Sequence, residues 1–94
     1  MALEITDKNF ETLVLNSSKP VVIDFGAQWC GPCKTVNASI EAMAVEYGEQ
    51  AVIGKVDVDL NPELTLKYAV RSMPTVLYMK NGEVMAKHVG ATSK

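Results

Sequence analysis

Cys30 and Cys33 are the only cysteines in the chain, and they stand three residues apart in the run Trp29-Cys30-Gly31-Pro32-Cys33-Lys34. A structural disulfide framework spreads its cysteines to close long loops. In the chain-entropy treatment, a loop of this length stabilises a fold by only about 2 kcal/mol. Such a bond is a poor staple and suits a bond that opens and closes. The pair directly follows the apolar run Val21-Val22-Ile23-Asp24-Phe25 and opens a stretch with helical periodicity. Free N–H groups at a helix start favour a nearby negative charge. Cys30 is therefore placed to react as a thiolate. Cys33, one turn on, lies about 5–6 Å away on a helix, within disulfide reach. Pro32 in the first turn forfeits no helical hydrogen bond and stiffens the turn. The competing reading, half of a structural zinc site, needs about four ligands. The chain supplies one histidine and no third cysteine.

Two further titratable residues fall in apolar strands. Asp24 sits inside the Val21–Phe25 run, where an acid is costly unless paired or neutral, and desolvation should raise its pKa. A carboxyl titrating near neutrality can take or give a proton. The plainer alternative is a buried acid satisfied by Lys55 or by backbone. Lys55, between Gly54 and Val56, reads either as a charge partner that tunes Asp24 or as a lysine reaching solvent from a strand end. His88, in the last apolar segment, reads as a surface residue. The methionines other than Met73 read as filler.

The elements that must carry these residues follow from periodicity. Leu3 to Thr6 suits a short strand, and Asp7 an N-cap for a helix to about Leu15. Val21 to Phe25 suits a strand buried on both faces. A helix after the cysteines should run to about Tyr47, with Val36, Ile40, Met43 and Ala44 on one face and Gly48 as its stop. Val52 to Val58 reads as a second buried strand. Asn61 and Pro62 read as cap and first residue of a short helix. Thr75 to Met79 and Val84 to Val89 flank Asn81-Gly82, a strong hairpin signal. The order β-α-β-α-β-α-β-β predicts an α/β fold with a mixed sheet.

The chain has 94 residues, a length suited to one domain. Its formal net charge of −2 and lack of a basic stripe argue against a nucleic-acid partner. No stretch reaches the roughly 20 apolar residues of a spanning helix. The first residues lack signal-peptide character, so a cytoplasmic protein away from the membrane is expected.

The run Trp29–Lys34 after Val22-Ile23-Asp24-Phe25 resembles the active site of the thioredoxin family. Lys55, Ser72-Met73-Pro74-Thr75, Lys80-Asn81-Gly82-Glu83 and Val89-Gly90-Ala91 extend the likeness along the whole chain. The resemblance implies a thioredoxin-like fold, with a mixed central sheet flanked by helices, and a protein-disulfide reductase serving redox homeostasis. Cys30 would be the nucleophile and Cys33 the resolving thiol. Asp24 would manage the Cys33 proton and Lys55 would tune Asp24. A cis peptide is implied before Pro74, leaving the Met73 backbone free to pair with an extended substrate. Trp29, Gly31, Pro32, Met73, Gly90 and Ala91 would form an apolar rim around Cys30. No bound cofactor is implied. The implied partners are disulfide-containing proteins and a flavin- and NADPH-dependent thioredoxin reductase.

Three departures stand out. Gly26 occupies a position where the family usually carries a second Trp, and Ala38 one where many members have Pro. The family also normally continues into a final helix. Its absence here would leave an apolar strip on one sheet face, with lower stability. A monomer is expected, with the bare face as a route to self-association.

Overall fold

The computed structural model describes residues 2–90. A five-stranded sheet in the order β1-β3-β2-β4-β5 forms its centre. The strands are β1 (Leu3–Glu4), β2 (Val21–Gly26), β3 (Val52–Asp57), β4 (Thr75–Lys80) and β5 (Glu83–Val89). β3 runs parallel to both β1 and β2, whereas β2–β4 and β4–β5 are antiparallel. The mixed sheet expected from the order of elements is therefore present. Asn81 and Gly82 both have positive φ in the β4–β5 turn, as the hairpin signal requires.

β2 lies at the centre and alternates cleanly. Val21, Ile23 and Phe25 point into a cluster with Ile5, Phe10, Val14, Val56, Leu64, Leu77 and Met79. Val22 points to the opposite face, where α1 (Gly31–Tyr47) lays down Val36, Ile40 and Ala44 against Ile53 and Val76. The period-2 alternation of a strand produces both faces from one six-residue segment. Gly54 is required by close approach: a Cβ there would run into the Ile5 side chain and the Leu3 carbonyl. β5 is exposed along its length, with Val84, Met85 and Val89 among the exposed apolar residues.

The N-terminal elements differ from the sequence expectation. β1 is only two residues long. The helix expected from Asp7 to Leu15 is a short wide turn, Glu11–Leu15, closed by Asn16 N–H donating to the Glu11 carbonyl at 3.0 Å. Thr6 and Asn9 cap its approach reciprocally: Thr6 N–H donates to Asn9 Oδ1 (2.7 Å) and Asn9 N–H to Thr6 Oγ1 (3.2 Å). Asp7 serves another helix. Its carboxylate accepts from the N–H groups of Leu64 (2.9 Å) and Glu63 (3.3 Å) at the start of α2 (Pro62–Lys67). Asn61 is the N-cap residue of α2 and Pro62 its first residue, as expected, but the Asn61 side chain makes no capping bond: it accepts from Asp7 N–H (3.0 Å) and donates to the Asp57 carbonyl (2.9 Å). The free donors of α2 are met by a carboxylate brought from far along the chain, which local pattern could not reveal.

Candidate active site

The chain leaves β2 at Gly26 and enters α1 through Cys30, whose extended backbone (φ −88°, ψ 110°) makes it the N-cap residue. Its sulfur takes the place a serine or aspartate oxygen usually fills, accepting the Cys33 N–H at 3.2 Å. A helix N–H aimed at Sγ stabilises negative charge there. Cys30 and Cys33 are joined as a disulfide with Cα atoms 5.3 Å apart. Both residues are buried, whereas Gly31 and Pro32 between them are exposed.

The rim is built from separate loops. Trp29 is 66% exposed, and its indole N–H donates to Asp59 Oδ2 at 2.8 Å, which fixes the ring across the surface beside the cysteines. The Met73–Pro74 peptide is cis and leads straight into β4. Because Thr75 pairs with Phe25, this loop sits at the same end of the sheet as the cysteines. Gly90 returns at the end of β5 with φ +91°, and its N–H donates to the Pro74 carbonyl at 2.8 Å. Thus Trp29, Gly31, Pro32, Met73, Pro74 and Gly90 are gathered at one end of the sheet, while Ala91 lies outside the described residues.

On the same face of β2 as Gly26, two residues earlier, lies Asp24, 1% exposed, with neither carboxyl oxygen accepting a hydrogen bond. Burial pushes its pKa up from 3.8 to about 6, and the Lys55 charge acts in the opposite sense. Lys55 is its cross-strand neighbour in β3, but the ammonium bonds elsewhere, to Glu41 Oε2 of α1 at 2.7 Å. These groups line an open pocket of about 380 Å³ together with Gly26, Asn37 and Asp57. Gly26 stands close to the inner sulfur: a Cβ there would lie 3.2 Å from Cys33 Sγ. Among the described residues, no group of three or more His, Cys, Asp or Glu side chains gathers as a metal site.

Comparison with known proteins matches this arrangement to one family. The thioredoxin family profile matches residues 1–94. Similar relatives include the thioredoxins of Chlorobaculum thiosulfatiphilum (47% identical over 91 residues, 97% of this chain and 84% of the relative) and Acidithiobacillus ferridurans (47% over 92 residues, 98% and 85%). The thioredoxin of Buchnera aphidicola subsp. Acyrthosiphon pisum is 45% identical over 92 residues, 98% of this chain and 85% of its own. The chain belongs to the thioredoxin family. It is a thiol–disulfide oxidoreductase, an enzyme acting on disulfides through its Cys-Xaa-Xaa-Cys pair.

Two residues of this thioredoxin site escaped the sequence reading. Asp59 holds the Trp29 indole from the loop after β3. Nothing local marks it, since the two residues are separated by thirty positions. Glu41 holds Lys55, and here a signal existed. Asn37 and Glu41 follow Cys33 at successive intervals of four, which places all three on one helix face. No helix among the described residues is long and apolar enough to cross a membrane.

Proposed function

We propose that this chain reduces protein disulfides by two successive exchanges, with Cys30 attacking first and Cys33 resolving. The Cys30 thiolate, favoured by the Cys33 N–H, attacks one sulfur of a substrate disulfide. A mixed disulfide forms and the first substrate sulfur leaves as a thiolate. Asp24 then takes the Cys33 proton. The new thiolate attacks Cys30 Sγ, closing the Cys30–Cys33 disulfide and releasing the second substrate sulfur. The substrate gains two electrons and the pair loses two. Asp24 titrating near 6 suits this task, because a base is effective when its pKa lies near the working pH. Lys55 tunes Asp24 through its charge.

The exposed Trp29, Gly31 and Pro32 and the half-buried Met73 and Gly90 form the contact surface for the substrate. The Met73 backbone, in the loop that leads into β4, is the segment that pairs with an extended substrate. A flavin- and NADPH-dependent thioredoxin reductase in the cytoplasm is the electron source that resets the pair, and the working unit is a monomer.

One observation carries the reading: the redox pair caps a helix N-terminus, and the strand that leads into it holds a buried carboxyl, Asp24, with no hydrogen-bond partner. The test is the equilibrium of the Cys30–Cys33 disulfide against a glutathione buffer series, read by thiol alkylation. A strongly reducing potential supports the reductase. A value near that of glutathione, or more oxidising, overturns it in favour of an oxidant or isomerase.

A further inference from the structure

The pocket beside Asp24 draws charged groups from four elements. Glu4 comes from β1, Asp24 from β2, Lys55 and Asp57 from β3, and Glu41 from α1. The β4 neighbour of Asp24 is the apolar Val76. Among the described residues that line the pocket Lys55 is the single cation, and two carboxylates are placed to compete for it. Asp24 is its registered neighbour across the β2–β3 ladder, and both line the same space. Glu41 reaches it from the helix and takes it, Nζ to Oε2 at 2.7 Å. Asp24 is left with no partner at either oxygen.

Glu41 is itself held in place for this. Its second oxygen accepts the Ala2 N–H at 2.9 Å, so the carboxylate is anchored between the chain start and α1. The Lys55 hydrogen bond and then the Ala2 N–H lower its pKa, keeping it ionised wherever Asp24 titrates. The lysine arm is long and flexible, and the pocket gives it room to turn.

We propose that Glu41 is a positioning residue for the exchange reaction: by holding the Lys55 ammonium it keeps that cation from pairing with Asp24, and so leaves Asp24 able to carry and release a proton near neutrality. The proposal rests on the reading that Asp24 serves Cys33. An ammonium in direct contact would lower the Asp24 carboxyl by about 1–3 pH units. Asp24 would then be permanently ionised in the working range and a weaker base toward a thiol.

The test reads Asp24 directly. Glu41→Gln removes the charge and keeps an oxygen for the Ala2 N–H. The Asp24 side-chain carboxyl is followed by carbon-13 NMR against pH in the oxidised protein. Its midpoint is expected to fall by about one unit or more as Lys55 turns inward. Adding Lys55→Gln should abolish that fall and raise the midpoint above the wild-type value. Glu41→Ala must move the midpoint in the same direction as Glu41→Gln. A midpoint that stays put or rises in both Glu41 variants overturns the proposal, since a merely structural Glu41 would change stability and leave the titration alone. The pH profile of mixed-disulfide resolution should shift with the midpoint. A shifted midpoint with an unshifted profile would remove Asp24 from the reaction, overturning the functional half while the Glu41–Lys55–Asp24 coupling stands.

Discussion

The two faces of β2 are made from the same six residues and do different work. Val21, Ile23 and Phe25 face a closed apolar cluster in which Phe10 and Phe25 each pack a tilted ring against Tyr68, centroids 5.7 and 6.3 Å away. Val22, Asp24 and Gly26 face α1, and along that face the packing thins from apolar contact to an unpartnered carboxyl and then to a residue with no side chain beside Cys33. One face holds the sheet together. The other tolerates a buried acid and an open pocket because the first is well filled. Chemistry here is concentrated where packing is given up.

That contrast predicts separable effects. Cys30→Ser should abolish disulfide reduction and leave the fold intact, as judged by turnover on a disulfide-bonded protein and by circular dichroism. Cys33→Ser should instead stop halfway and accumulate a mixed disulfide visible by mass spectrometry. On the opposite face, Phe25→Ala should lower stability by about 3–5 kcal/mol in urea denaturation. The thiol potential of its folded fraction should stay near wild type. A Phe25 variant that altered the potential as strongly as it altered stability would erase the distinction between faces.

Asp24 gives the next largest effect. Its carboxyl binds a proton more tightly in the native state than in the unfolded chain, about 6 against 3.8. Stability is therefore fullest below about pH 4 and is lost as the pH rises through 6, by about 3 kcal/mol in all. Asp24→Asn should remove this component. Relative to wild type, the variant should gain stability between pH 4 and 7 in denaturant titrations, and the two should run parallel above pH 7. The same variant should slow the resolving step at neutral pH and flatten its dependence around pH 6. Parallel stability curves across the whole range would show that burial does not penalise the ionised acid.

The smallest effect belongs to the rim. Asp59→Asn weakens the hold on the Trp29 indole, a hydrogen bond worth about 1 kcal/mol. KM for a protein substrate should rise roughly two- to fivefold, with kcat nearly unchanged. A large loss of kcat would move Asp59 from the substrate surface into the chemistry.

The Cys30–Cys33 spacing, the strand ahead of it and the helix behind it were legible because each is local. Three residues set the sulfur separation, period 2 set the faces of β2, and periodicity near 3.6 set the buried stripe of α1. Asp24 was legible for the same reason, as an acid in an otherwise apolar strand. What stayed hidden depended on groups meeting from distant positions. Asp7 was expected to cap the helical turn beside it and caps α2 instead, because its carboxylate reaches the free N–H groups of Glu63 and Leu64. Trp29 was expected in the rim, but the partner that fixes it was not.

Sequence by itself thus determined the reactive pair, the mixed α/β order and the presence of a costly acid in the centre of the sheet. These follow from residue type, spacing and the desolvation of charge. Only the tertiary structure decided which carboxylate takes the pocket lysine, and how near Gly26 stands to Cys33. Ion pairing falls off steeply with distance and exposure, so the choice between Asp24 and Glu41 turns on where β3 and α1 are packed, a matter of ångströms that no local pattern encodes.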